Sequence, residues 1–127
     1  MDPPPLPDGV LIQSTYVDSE GREAGWRVWA DGRHEGRRAG EDWQAGPAID
    51  ARGMDEIARI LDDEDLAAME GVHRRDTETE HESALWFQIA RAGAPPVTVG
   101  LMDGARLEAL DRLVARLAPV LSGGALE

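Results

Sequence analysis

Imidazole and carboxylate side chains are concentrated in residues 73–82, where they could bind a metal ion. The stretch contains His73, Asp76, Glu78, Glu80, His81 and Glu82. These are acceptable zinc or nickel ligands by type. Their spacing contains no HExxH motif and no pair of histidines at helical spacing, and the chain has no cysteine. The sequence therefore predicts neither a metal site nor a bound cofactor.

Catalysis by side chains alone is not expected either. Glu80 and Glu82 would lie on one face of a strand, like a pair of glycosidase acids, but a charged connector offers no pocket to enclose them. Gly32, Gly36 and Gly40 lie in or after a hairpin, so they form neither a Walker loop nor a dinucleotide-binding motif. The serines lack a GxSxG setting. We expect that the protein is not an enzyme.

Acidic residues outnumber basic residues by 25 to 13, which gives a net charge of −12. This charge opposes direct binding to nucleic acid, because phosphate contacts need cations on the protein. Residues 55–82 hold eleven of the acidic residues and three arginines. Such a surface could steer a basic partner or imitate phosphates, or it could simply maintain solubility. Its candidate binding residues are Asp62, Asp63, Glu64, Asp65, Glu78, Glu80 and Glu82.

The length of 127 residues corresponds to one domain. No apolar run approaches the roughly 20 residues of a membrane helix, and the first residues, MDPPPLPDG, lack the basic and apolar regions of a secretory signal. We therefore expect a cytoplasmic protein with no membrane contact. Every basic residue is arginine, and lysine and asparagine are absent, which we interpret as the high-GC codon usage of a bacterium.

Residues 1–9 contain four prolines and are predicted to be a tail or a short polyproline segment. Pro4 and Pro7 match a minimal PxxP pattern, which any proline-rich tail produces.

Residue patterns predict three strands before the first helix. β-branched residues favour a strand over Val10–Val17. A hairpin follows, in which Trp26–Ala30 pairs with Arg33–Arg38 around the dipeptide Asp31-Gly32, which suits a type I′ turn.

The first helix is predicted over Met54–Leu61, where apolar residues follow helical spacing, with Asp50 or Asp55 as the N-cap. Four adjacent acidic residues at 62–65 should end this helix before an apolar turn over Leu66–Met69.

A second hairpin and a final helix complete the predicted elements. The hairpin pairs Ala84–Arg91 with Pro96–Met102, and the helix covers Ala105–Leu121. The buried face of that helix is predicted to contain Leu107, Leu110, Val114, Leu117 and Leu121.

The order β-β-β-α-β-β-α predicts an α+β domain over residues 10–121, with a C-terminal tail at 122–127. Its antiparallel sheet should have about five strands and carry two helices on one face. The side chains expected to point toward the helices are Val28, Leu85, Phe87, Ile89, Val97 and Val99.

Alternation along the strands sends Arg27, Trp29, Trp86, Gln88 and Thr98 to the opposite face. Tryptophan and arginine are the residues that most often dominate protein interfaces. We therefore name Arg27, Trp29, Trp86 and Gln88 as candidate partner-binding residues. Two alternatives stay open: the N-terminal segment or Trp43 covers this face, or the face forms a homodimer contact.

Four segments, taken in chain order, resemble one protein family. They are WRVWADGR (26–33), MDEIARIL (54–61), LWFQIAR (85–91) and PPVTVGL (95–101), and a leucine-rich helix follows. Over residues 10–121 this layout resembles emfourin, a small cytoplasmic bacterial inhibitor of thermolysin-like metallopeptidases. The resemblance implies a non-enzymatic module that occupies another protein's active-site cleft, and it carries over no individual inhibitory residue.

The sequence thus favours a protein-binding module, with a metallopeptidase as one expected partner. The alternative is an acidic interaction protein of the immunity or nucleic-acid-mimic type that binds through residues 55–82. Salt separates the two, because only the acidic interface should weaken steeply as ionic strength rises.

Overall fold

The computed structural model describes residues 2–74 and 83–122. They form the predicted α+β fold, in which one sheet carries helices on one face. The strands are β1 (Val10–Val17), β2 (Glu23–Trp29), β3 (His34–Arg37), β4 (Gln44–Ala45), β5 (Gly71–His73), β6 (Ala84–Arg91) and β7 (Ala94–Met102). The helices are α1 (Ala51–Asp63), α2 (Leu66–Met69) and α3 (Glu108–Leu121).

The sheet is larger than the five strands expected. Its seven strands follow the order β4-β3-β2-β1-β6-β7-β5, and all neighbours are antiparallel except β5 and β7. The added strands β4 and β5 have two and three residues and lie at the two edges. Strands this short show no alternation, and only their pairing with a neighbour makes them strands.

The first hairpin has a different turn from the one predicted. Trp29 and Arg33 close a three-residue loop through a hydrogen bond from the Trp29 N–H to the Arg33 carbonyl at 2.8 Å. Gly32 has φ of +96°, whereas Asp31 does not adopt a positive φ. A type I′ turn requires positive φ at both central residues, so that prediction was wrong. Glycine at the last loop position fits a type I turn followed by a left-handed residue.

Aspartate side chains cap the first two helices. Asp50 Oδ1 accepts the Gly53 N–H at 2.8 Å, which confirms Asp50 as the N-cap of α1. The helix ends at Asp63, within the predicted acidic stretch. Asp65 Oδ1 accepts the Ala68 N–H at 3.2 Å and starts α2, the predicted apolar turn.

The core lies between the helices and one face of the sheet. Val28, Phe87, Ile89, Val97 and Val99 are buried there as predicted, and Leu85 packs against them. The three helices contribute Ile57, Ile60, Met69, Leu110, Leu113 and Leu117.

The predicted buried face of α3 needs one correction. Leu113 is fully buried, whereas Val114 is 37% exposed. The face of α3 that meets the sheet runs through Leu110, Leu113 and Leu117, so Val114 falls at its edge.

Within residues 2–74 and 83–122, no helix is both long and apolar enough to cross a lipid bilayer.

Candidate protein-binding face

The sheet face opposite the helices, here called the outer face, carries a row of polar residues in register. Arg27 pairs with Glu35 on one side and with Gln13 on the other. Gln13 in turn pairs with Gln88, which pairs with Thr98. The row crosses five strands and thereby brings Arg27 and Gln88 onto one surface, as the alternation predicts.

Arginine and tryptophan side chains alternate in a stack where β2, β3 and β4 meet this face. The Arg33 guanidinium carbon lies 4.2 Å from the ring centroid of Trp29, and Arg27 approaches the same ring at 5.2 Å. Arg27 also lies 4.0 Å from the ring of Trp43, and Arg37 lies 4.5 Å from it. All four distances are within the range of cation–π attraction. We call the series Arg33–Trp29–Arg27–Trp43–Arg37 the tryptophan–arginine ladder.

Two carboxylates hold the ladder in place. Glu35 Oε1 accepts the Trp29 indole N–H at 2.6 Å and the Arg27 Nε–H at 2.7 Å. Glu23 accepts a hydrogen bond from Arg37. The Trp29 N–H, followed by the Arg27 guanidinium, lowers the pKa of Glu35. Glu35 therefore remains an anion at neutral pH and fixes two members of the ladder at once.

The ladder is accessible at its Arg33 end and largely enclosed at its centre. The Arg27 side chain is only 14% exposed, whereas Arg33 is 59% exposed and is paired with Asp31 at 3.0 Å. Trp29 and Trp43 are half-buried. A partner would therefore meet the Arg33 guanidinium and the exposed parts of the two rings, whereas the Arg37 side chain is only 19% exposed.

The segment that contains the ladder is less acidic than the chain as a whole. Residues 22–43, which contain every member of the ladder, hold five arginines and five acidic residues, a net charge of 0, while the chain carries −12. Beside the ladder lies an open concavity of about 470 Å³. It is lined by Gly36, Arg37, Arg38, Glu41 and Gln44.

Residues 2–8, here called the proline segment, cover the outer face over β1 and β6. The Pro4 carbonyl accepts from Gln88 Nε2 at 2.8 Å, and the Pro5 carbonyl accepts from Gln13 Nε2 at 3.0 Å. As a result Gln88 is only 3% exposed. Both covers that the sequence suggested are present, since the proline segment lies over Gln13 and Gln88 and Trp43 stacks on Arg27.

Trp86 and Gln88, which the sequence suggested as partner-binding residues, are therefore not accessible to a partner in this structure. Trp86 is 2% exposed and packs with Val17, Ala84 and Met102 in a second, smaller apolar cluster on the outer face. Among the described residues, its indole nitrogen has no hydrogen-bond partner. Of the four candidates, only Arg27 and Trp29 belong to the ladder.

The acidic residues at the α1–α2 junction are used within the fold. Glu64, whose side chain is 8% exposed, accepts from Arg116 at 2.8 Å, and Asp63 accepts from the same guanidinium at 3.0 Å. Asp65 is a helix cap, and Asp62 is exposed. The other acidic candidates, Glu78, Glu80 and Glu82, lie outside the described residues.

Of the residues considered for a metal site, His73 is described, and its Nε2 lies 2.8 Å from the Met69 carbonyl. Asp76 and His81 lie outside the described residues together with the three glutamates. In the part of the chain that the structure describes, no three histidine or carboxylate side chains are grouped as metal ligands.

Sequence reasoning missed Arg33, Glu35 and Arg37 as members of the site. Glu35 and Arg37 follow the same alternation as Arg27 and Trp29, so pairing the two strands residue by residue would have placed them there. Trp43 lies in the loop before β4, where no side-chain alternation assigns it to a face of the sheet. The sequence therefore suggested Trp43 only as a residue that covers the outer face.

Comparison of the chain with protein-family models and with curated proteins finds no significant match.

Proposed function

We propose that this protein is a non-enzymatic protein-binding module that contacts its partner through the tryptophan–arginine ladder. The observation that carries the proposal is the stack itself, in which Glu35 fixes Trp29 and Arg27 before any partner arrives. Tryptophan and arginine supply much of the binding energy in protein interfaces.

Preorganisation is the physical reason for choosing this surface. A free arginine or tryptophan side chain loses conformational entropy when it is immobilised in an interface. In the ladder, cation–π contacts and carboxylates restrict these side chains already in the unbound protein. Less side-chain entropy is therefore lost when a partner binds, and this raises the affinity.

The resemblance to emfourin supports a thermolysin-like metallopeptidase as the first partner to test, in the cytoplasm of a bacterium. The ladder is positive relative to the chain, so we expect it to contact an acidic or neutral part of that partner.

A titration against a thermolysin-like peptidase, with hydrolysis of a small peptide substrate as the readout, tests the proposal. We expect inhibition at near-stoichiometric ratios, weakened by Trp43→Ala and by Arg33→Ala. Arg52→Ala is the matched control, since it removes one exposed positive charge from α1, on the other side of the sheet.

The possible results separate the parts of the proposal. If the Trp43→Ala and Arg33→Ala variants inhibited the peptidase as strongly as the unaltered protein does, the ladder would not be part of the interface. No inhibition by the unaltered protein would remove the peptidase as partner. Inhibition that Trp43→Ala and Arg33→Ala leave unchanged, and that disappears steeply between low and high salt, would favour an interface at residues 55–82 instead.

A further inference from the structure

Two glutamine side chains occupy an unusual place, at the centre of the sheet. Gln13 and Gln88 are register partners on β1 and β6, and each is 3% exposed. Gln13 Nε2 donates to Gln88 Oε1 at 3.2 Å, which aligns the two amides. Burying an amide costs free energy unless its donors are satisfied, and an apolar pair would fill this position without that cost. The pair therefore points to a ligand that offers hydrogen-bond acceptors.

Proline-rich backbone has the complementary chemistry. Proline has no N–H, its ring fixes φ, and the carbonyls of an extended proline segment have no internal hydrogen bonds. The amides of Gln13 and Gln88 donate to two successive carbonyls of this kind, those of Pro5 and Pro4. A peptide that forms strands would instead need a free sheet edge, and both β1 and β6 are paired on both sides.

The contact is made by a segment that lies outside the strands of the sheet. The proline segment takes part in no strand pairing, and it joins β1 through an exposed turn at Asp8 and Gly9, where Gly9 has φ of +91°. The turn is fixed on both sides: the Gly9 carbonyl accepts the Ala30 N–H at 2.7 Å, and the Pro7 carbonyl accepts the Val10 N–H at 3.1 Å.

We infer that Gln13 and Gln88 form a recognition site for an extended, proline-rich segment of another protein. The chain's own proline segment occupies this site as a tethered competitor. The site adjoins the ladder, since Gln13 is the register partner of Arg27, but the inference does not depend on which partner the ladder binds.

The composition of the chain allows a specific readout. It contains three glutamines, Gln13, Gln44 and Gln88, and no asparagine, so a ¹⁵N spectrum shows three side-chain amide pairs. Gln44 is exposed on β4 and serves as the internal control.

The experiment uses the complete chain with a protease recognition sequence inserted between Asp8 and Gly9, cut after folding. The probe is a fluorescent peptide, MDPPPLPD, and its control has alanine in place of each proline. A tethered segment competes at an effective concentration of about 1 mM, so a peptide with a Kd near ~100 µM should bind the cut chain roughly tenfold more tightly than the uncut chain.

Binding should move the amide signals of Gln13 and Gln88 and leave that of Gln44 in place. Gln88→Leu should abolish binding of the probe to the cut chain, because leucine donates no hydrogen bond. Gln44→Leu, the matched control, should bind as the unaltered cut chain does.

Three results would overturn the inference. A cut chain that unfolds once its segment is removed would make the segment a structural part of the sheet. If the cut chain stayed folded but did not bind the probe, or bound the alanine peptide equally well, the site would not recognise prolines. If the uncut chain formed dimers that exchange their proline segments, the segment bound at Gln13 and Gln88 would come from a second copy of this chain.

Discussion

The ring of Trp86 lies directly over Gly100, its register partner on β7. A Cβ atom added to Gly100 would come within 2.5 Å of Trp86 Cζ3 and 3.0 Å of two further ring atoms. The absence of a side chain at Gly100 therefore makes room for the ring. A large aromatic side chain beside a glycine also covers backbone that the glycine would otherwise leave open.

We expect Gly100→Ala to destabilise the protein by about 1–3 kcal/mol, because Trp86 or its strand must shift to avoid overlap. Chemical denaturation followed by far-UV circular dichroism measures the change. Gly36→Ala is the control, since its added Cβ would meet the Gly25 carbonyl at an ordinary 3.6 Å. Equal stability of the two variants would contradict the contact between Trp86 and Gly100.

Trp86 and Phe87 lie on opposite faces of β6, yet both are buried. We expect Trp86→Ala and Phe87→Ala each to cost about 3–5 kcal/mol, the usual range for large-to-small substitutions of buried aromatic residues. Trp86→Phe should cost less than Trp86→Ala, because it keeps a ring and removes the indole N–H that lacks a partner among the described residues. A Trp86→Ala variant as stable as the unaltered protein would contradict the burial of Trp86.

The ladder should depend on the charge of Glu35. Its pKa in the folded protein is lowered, first by the Trp29 N–H and then by Arg27, from an ordinary value near 4.5. The folded protein therefore holds this proton less strongly than the unfolded chain. The resulting stabilisation is present above pH 4.5 and is lost as the pH falls through the lowered pKa.

The measurement is the difference in unfolding free energy between the unaltered protein and Glu35→Gln as a function of pH. We expect the unaltered protein to be the more stable at pH 7 and the difference to shrink below pH 4.5. The Trp29 indole N–H signal should shift over the same range. A difference that does not change with pH would mean that the Glu35 charge does not stabilise the ladder.

Glu64 joins α1 to α3 through Arg116, and its side chain is 8% exposed. We expect Glu64→Gln to lower the melting temperature, because it weakens a charge-assisted contact and leaves Arg116 with Asp63 alone. Asp62→Asn, at an exposed neighbouring position, removes the same charge and should have little effect. Equal effects of the two substitutions would indicate that this stretch contributes only net charge.

Short-range patterns were sufficient to predict most of the secondary structure. Val10–Val17 and Ala84–Arg91 are strands with the predicted bounds, and Asp50, one of the two predicted N-caps, caps the first helix. These features depend on side-chain alternation and on one side chain bonding to a nearby N–H, and both are properties of neighbouring residues. The short strands β4 and β5 depend on distant partners, and the sequence did not indicate them.

The candidate site was predictable in part. Arg27 and Trp29 flank the buried Val28, so alternation alone placed them on the face away from the helices. The stacking of Trp43 between Arg27 and Arg37 requires a loop to fold back over the sheet. No local pattern determines that path.

The amino-acid sequence by itself determined which side chains share a face of the sheet, because successive residues of a strand point to opposite sides. Only the tertiary structure decided which part of that face is open. Pro4 and Gln88 are separated by 84 positions in the chain and meet through a hydrogen bond of 2.8 Å. Burial results from such encounters between distant segments, so the same alternation left Arg27 and Trp29 near the surface and enclosed Trp86 and Gln88.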